Sequence, residues 1–294
     1  MLHLHNILSG VWLMDRAYAA NYLPIVTHWL STPSSHSGRP RNALAEEELT
    51  EDNALRFAVK QADYYQISDY GEYRSPEDAP KQSVAILSIK GAISKYDQYC
   101  GPSGMLTKSN LLHRCYANDN IVGIVLHIDS GGGEGMACSL MQRTLGMRNK
   151  PIVAFCDDLT ASAAYGIAAA CDTVVANSPL CRVGSVGTYI TLVDYADYYA
   201  KMGIKLIDVY ATSSTDKNQD YLKALQGDTA PMRAICDRYN EAFIASIATA
   251  REGKIEKEQA KWATGKLFFA DEALKLGLID QIDTFENVIN YFNV

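Results

Sequence analysis

Nowhere in the 294 residues is there an apolar run long enough to cross a bilayer. A spanning helix needs about 20 nearly uncharged residues. The most apolar stretch, residues 1–30, is interrupted by Asp15 and Arg16 and lacks a preceding basic region, so neither a signal peptide nor a stable membrane anchor is expected. It reads instead as one or two amphipathic helices. Clustered positive charge is also missing: 27 basic residues face 34 acidic ones, the net charge is −7, and the lysines and arginines are scattered. Nucleic-acid partners, which are held by clustered Lys and Arg, are not expected. The seven cysteines form no CxxC or metal-ligand spacing, and most sit among apolar neighbours. They read as reduced core thiols in a cytoplasmic setting, with no metal. There is no internal repeat, and histidine is absent after His127.

What is present is a globular composition, 48% apolar with 21% charged residues, enough to bury a core. Residues 31–53 are rich in Ser, Pro and charge and read as an exposed linker. The first 80 residues are thus set apart as a helical and linker segment suited to a pro- or docking role, and residues 81–294 form the main domain. From Ser83 onward, short apolar runs alternate with helical periods: SVAILSI, a helix near Met105–Tyr116, IVGIVLHI, and a helix over about Glu134–Met147. PIVAFC, a small-residue helix over Ala161–Ala170, TVVA, a helix near Val193–Lys201 and a strand KLIDVY follow. This pattern predicts an α/β domain whose strands are buried on both faces, with a mostly helical tail that includes helices over Pro231–Ala250 and Lys254–Ala263.

Two sites in that domain have chemical potential. Asp129-Ser130-Gly131-Gly132-Gly133 follows a strand and precedes a helix. Consecutive glycines let backbone N–H groups approach a ligand with no Cβ in the way, as an oxyanion hole requires. A phosphate loop is disfavoured because neither GxxxxGK[ST] nor GxGxxG is present and Glu134 would repel phosphate. A plain flexible turn remains open at this point. The second site is Ser162 at the start of the helix Ala163-Ala164-Tyr165-Gly166. The Ala163 N–H and the helix dipole would favour an oxyanion there. Most serines at helix starts are simply N-caps, and local sequence alone favours that reading.

Taken together, a glycine loop and a serine-bearing helix start about 30 residues later resemble the ClpP/crotonase superfamily. Within it, the chain is similar to the signal peptide peptidase A (protease IV) family of serine peptidases. The resemblance rests on the IDS-Gly-Gly loop (Ile128–Gly133), the Ala161-Ser162 turn, the stretch Gly184-Ser185-Val186-Gly187, and ATGKLFFADEALKLGLIDQID (Ala263–Asp283). It implies a repeated β-β-α superhelix with a buried, mostly parallel sheet. It also implies a Ser/Lys peptidase with Ser162 as nucleophile, Gly131, Gly132, Gly133 and Ala163 as oxyanion-hole candidates, and no cofactor.

Because every histidine precedes Ser162, the Ser, His, Asp chain order of ClpP is excluded, and His127 reads as a packed strand residue. In the family the base is a lysine some 50 residues downstream. Lys217 fits that place, with Ser185 matching a serine that orients the lysine, and Lys201, Lys205 and Lys223 are the alternatives. The sequence departs from the family where Gly131 replaces a proline, where Ala163-Ala164 replaces a glycine pair, and where the usual Gly-x-Pro after the lysine is missing. The implied partners are a polypeptide substrate, further copies of the chain in a homo-oligomer and, as in short phage or prophage head-maturation proteases, scaffold or capsid proteins within a procapsid. The rival readings are an acyl-CoA hydratase or isomerase on the same fold, and a non-catalytic scaffold-associated subunit.

Overall fold

The computed structural model describes residues 12–14 and 54–293, apart from 63, 70, 71, 74 and 99–101. The strands are β1 (Trp12–Met14), β2 (Leu55–Lys60), β3 (Tyr65–Ile67), β4 (Ser83–Lys90), β5 (Ile121–Ser130), β6 (Gly132–Glu134), β7 (Ile152–Ala161), β8 (Thr173–Ala176), β9 (Arg182–Gly184), β10 (Leu267–Phe269) and β11 (Gln281–Ile282). The helices are α1 (Met105–Ala117), α2 (Gly135–Gly146), α3 (Ala163–Ala169), α4 (Ala196–Lys201), α5 (Gln219–Leu225), α6 (Ala230–Ala250), α7 (Ala270–Lys275) and α8 (Phe285–Asn290). Nine strands form one sheet in the order β10-β9-β7-β5-β4-β2-β3, with β8 branching from β7 and β11 pairing β8. The pairings β4–β5, β5–β7, β7–β8, β7–β9 and β8–β11 are parallel.

The apolar runs are near-continuous because both faces of this sheet are covered. Side chains alternate along each strand. Leu87 and Ile89 of β4, Ile124 and Leu126 of β5, and Ala154 and Cys156 of β7 enter a core shared with α1, α2 and α3. Val84 and Ile86, Val125, and Val153 and Phe155 enter a second core closed by Val288, Ile289 and Phe292. β7 is forked: Val153–Cys156 pairs with β8, whereas Leu159–Ala161 pairs with β9. The fork carries the end of β7, and the serine that follows it, away from β8 and alongside β9.

The expected α/β class with a buried, mostly parallel sheet is present, and several local expectations are corrected. Trp12–Met14 is a strand, not part of an amphipathic helix; the rest of residues 1–30, and the linker up to residue 53, lie outside the described residues. β2 and β3 join the sheet antiparallel, so it begins before Ser83. Residues 205–210 form no strand, and Leu206, Ile207 and Val209 are 64%, 73% and 90% exposed. A strand needs a neighbour for its backbone hydrogen bonds, and this segment has none among the described residues. The expected helix over Lys254–Ala263 is reduced to one turn at Gln259–Lys261, and the tail contains β10 and β11.

Candidate active site

Ser162 stands between β7 and α3 with φ 56° and ψ −117°, a conformation that L-residues rarely adopt. Such a backbone costs on the order of 1–3 kcal/mol and persists only where surrounding contacts impose it. Here its N–H donates to Gly184 O at 2.7 Å, one step beyond the parallel pair Ala161↔Gly184, while its own carbonyl accepts the first helical bond, from Gly166 N, at 2.9 Å. The side chain does not cap the helix. Ser162 is 1% exposed, and its Oγ has no hydrogen-bond partner among the described residues. The N-cap reading is therefore excluded. Since helical bonding begins at Gly166, the N–H groups of Ala163, Ala164 and Tyr165 have no intrahelical acceptor.

The glycine loop lies alongside. Ser130 pairs with Thr160, so the two strands enter the site side by side, and α3 packs against β6. Gly132 has φ 98°, and a Cβ on Gly133 would lie 2.0 Å from Ile93 O, so both positions require glycine. Ser130, which has no assigned role in the sequence reading, braces the loop: its Oγ donates to Gly91 O at 2.6 Å and accepts from Gly132 N at 3.1 Å. Its signal was only that of a serine in a turn. Glu134 secures the far end by accepting the Lys95 N–H at 2.8 Å.

Ser185 follows Gly184 and is buried, with φ 52° and its N–H bonded to Lys266 O at 2.8 Å. The structure thus gathers Ser162, Ser185, the Gly131–Gly133 loop and Ala163 at the carboxyl ends of the strands. Lys217 is not gathered with them. It is exposed in the turn preceding α5, and Lys201, Lys205 and Lys223 are exposed too. None of the four bonds to Ser162 Oγ within the single chain.

Two groups with shifted acidity lie outside this constellation. Lys108, on α1, is 2% exposed and burial lowers it to about 8, although Asp97 opposes the shift; its Nζ donates to Ser103 Oγ at 2.5 Å. It has the electrostatic character of a base but is bonded to a different serine. His127 is pushed below its ordinary value by burial, against the hydrogen bond from its Nε2 to Asp157 Oδ2 at 2.8 Å. Its ring packs against Phe155 and Phe285, as expected of a strand residue in the core. A cleft of about 500 Å³, lined by Val122, Ile152, Thr173 and Tyr291, lies at the amino ends of the strands. It is at the opposite end of the sheet from Ser162.

No group of three or more His, Cys, Asp or Glu side chains capable of holding a metal exists among the described residues. Cys115, Cys138, Cys156, Cys171 and Cys181 are buried free thiols, all pushed up by burial. No described helix is long and apolar enough to cross a membrane.

A glycine loop beside a strained serine at a strand-to-helix turn has the parts that acyl transfer requires, a hydroxyl and nearby backbone N–H groups. The family model described as Peptidase family S49 matches residues 145–293, a span that contains Ser162, Ser185 and Lys217 and begins after the glycine loop. The chain belongs to peptidase family S49. It is 26% identical over 216 residues to the head-tail preconnector protein GP5 of Enterobacteria phage P21, covering 70% of this chain and 42% of that one. It is 21% identical over 215 residues to Protease 4 of Haemophilus influenzae, covering 70% and 34%. A solved ClpP1 variant from Listeria monocytogenes aligns with a TM-score of 0.43 at 14% identity, over 69% of this chain and 94% of that one. The chain spans 34 to 58% of the length of curated relatives such as these.

Proposed function

We propose that the chain is a serine peptidase with Ser162 as nucleophile and Lys217 as general base. The observation that carries the reading is Ser162 itself: a serine held at positive φ, buried, with a free Oγ, directly before three N–H groups without helical partners. Strain of this kind costs stability, and an N-cap would not need it. Oγ attacks the scissile carbonyl as the base takes its proton. The Ala163 N–H and an N–H of the Gly131–Gly133 loop hold the oxyanion, and the amine leaves with the proton. Water, activated by the same base, then hydrolyses the acyl-enzyme. Ser185, next to the nucleophile, orients the lysine.

A solvated lysine, with an ordinary pKa of about 10.4, is protonated at neutral pH, and burial must bring it toward about 7–8 before it can serve as a base. Exposed Lys217 acquires that environment if a second copy covers it. The apolar residues Leu206, Ile207 and Val209, exposed in the same segment, support such an assembly. The functional unit is accordingly a homo-oligomer in which one copy lends its lysine to the serine of the next. Its substrate is a polypeptide, and the relative named a head-tail preconnector protein supports a role in phage head assembly for this chain. Residues 1–80 serve there as a pro- or docking segment for the domain over 81–294.

The test is subunit mixing. Ser162→Ala and Lys217→Ala are each inactive toward a fluorogenic peptide, and Lys217→Arg also fails, because a guanidinium does not release its proton. Exchanging subunits between the first two restores activity in the sites with both groups intact. Full activity of a folded Ser162→Ala protein would remove the nucleophile assignment. Wild-type turnover by Lys217→Ala would move the base to Lys201, Lys205 or Lys223.

A further inference from the structure

The glycine strand β6 has two edges, and one is taken by Ile93. The Ile93 N–H donates to Gly132 O at 2.9 Å, and its carbonyl accepts from Glu134 N at 2.9 Å. Backbone groups alternate direction along a strand. The N–H and C=O of Gly133 therefore face the other edge. β1 lies along that edge, antiparallel, in the register Trp12↔Glu134, Leu13↔Gly133 and Met14↔Gly132. β1 pairs with no other described strand; it and β6 form a two-stranded sheet of their own. The 40 residues 15–54 separate it from β2 in sequence.

The direction of β1 is informative. From Trp12 to Met14 it runs from Glu134 to Gly132, so the chain leaves it at the end of β6 that returns to Ser130. Ser130 pairs with Thr160, two residues before Ser162. An extended polypeptide presented to Ser162 can be held along this same edge by main-chain pairing, which binds without requiring a particular sequence. We propose that β1 is a built-in occupant of the substrate edge: Trp12–Met14 takes the place of the residues preceding a scissile bond, and an incoming polypeptide must displace it. This rests on the peptidase reading for the identity of the incoming chain, not for the strand exchange itself. Tethering makes β1 a strong competitor, since a segment joined to the same chain meets its site at an effective concentration of up to about millimolar.

The test uses the full chain carrying Ser162→Ala, so that nothing is cleaved, with and without Leu13→Pro. Proline has no N–H and cannot make the paired bonds of an antiparallel strand at this position. A fluorescein-labelled synthetic peptide with the sequence of residues 8–18 is titrated into both proteins and followed by polarisation. Exchange of the Gly133 amide hydrogen is measured alongside. At least tenfold tighter peptide binding to the Leu13→Pro protein, with faster Gly133 exchange in the absence of peptide, is the expected result. Equal binding to both proteins, binding to neither, or Gly133 exchange at one rate in both would overturn the proposal. A tenfold difference in a protein whose wild-type form hydrolyses no peptide would remove the peptidase reading and leave the strand exchange intact. Hydrolysis by the wild type combined with equal binding would do the reverse.

Discussion

At the scale of single residues, the strained backbone of Ser162 depends on a contact distant in the chain. The Ala161-Ser162 pair at a helix start, 30 residues after a glycine loop, is a pattern in the chain. The φ of 56° arises from the fork in β7, where Ser162 N–H is captured by Gly184 O, and that contact joins residues 22 positions apart. Glycine relieves such a conformation and alanine does not. Ser162→Gly is therefore expected to be inactive yet more stable than Ser162→Ala by about 1 kcal/mol, read from urea denaturation midpoints. Equal midpoints would mean that the backbone is not strained there. Space is equally restrictive nearby. A Cβ on Gly133 meets the carbonyl of Ile93 at 2.0 Å, whereas one on Gly166 meets the side chains of Phe243 at 2.6 Å and Cys138 at 2.8 Å. Backbone yields less than side chains, so Gly133→Ala is expected to destabilise more than Gly166→Ala, which itself costs about 1–3 kcal/mol by overpacking. The reverse order in thermal melts would contradict this contact geometry.

At the scale of elements, the runs in β4, β5, β7 and β8 were readable because double burial leaves a continuous apolar signature. KLIDVY carries a similar signature without forming a strand, since composition reports burial but not what does the burying. Lys254–Ala263 was misread for a related reason. Its periodicity is real, but residues there serve to tie loops together, as where Trp262 Nε1 donates to Glu256 O at 2.8 Å. β5 also carries a titratable group into the second core. His127 is held below its ordinary 6.5 by burial, its Nδ1 is buried without a partner, and it bonds Asp157 as a neutral ring. The unfolded chain binds that proton more readily, so this group's contribution is intact above about 6.5 and is lost as pH falls through the window down to the folded value. His127→Gln is expected to flatten the decline in stability between pH 7.5 and 5. An unchanged slope would show that His127 is not the group responsible.

At the scale of the whole molecule, the uncovered apolar segment around Leu206–Val209 predicts self-association. Ile207→Glu is expected to lower the light-scattering mass toward the 32.3 kDa of one chain and to reduce peptidase activity in parallel. A variant that keeps both would place the contact elsewhere. The sequence could not reveal that Lys217 is exposed while Ser162 is buried, because spacing along a chain does not say which side chains the fold brings together. The region after α6 has a different part, closing the fold around α3. Tyr165 of α3 donates to Leu278 O at 2.8 Å, and buried Arg251 pairs with Asp280 at 2.8 Å, whose Oδ2 also accepts from Val174 N. Arg251→Met, which leaves Lys254 at 3.0 Å as the remaining cation on that carboxylate, is expected to cost about 1.5–3 kcal/mol through the lost charge-assisted hydrogen bonds, measured by denaturation. This geometry also turns position in the sequence into order in time. During synthesis, Ser162 emerges well before Leu278 and Asp280, and at about 5–20 residues per second the interval is several seconds or more. A growing chain thus carries Ser162 for that interval without the contacts that hold the helix behind it.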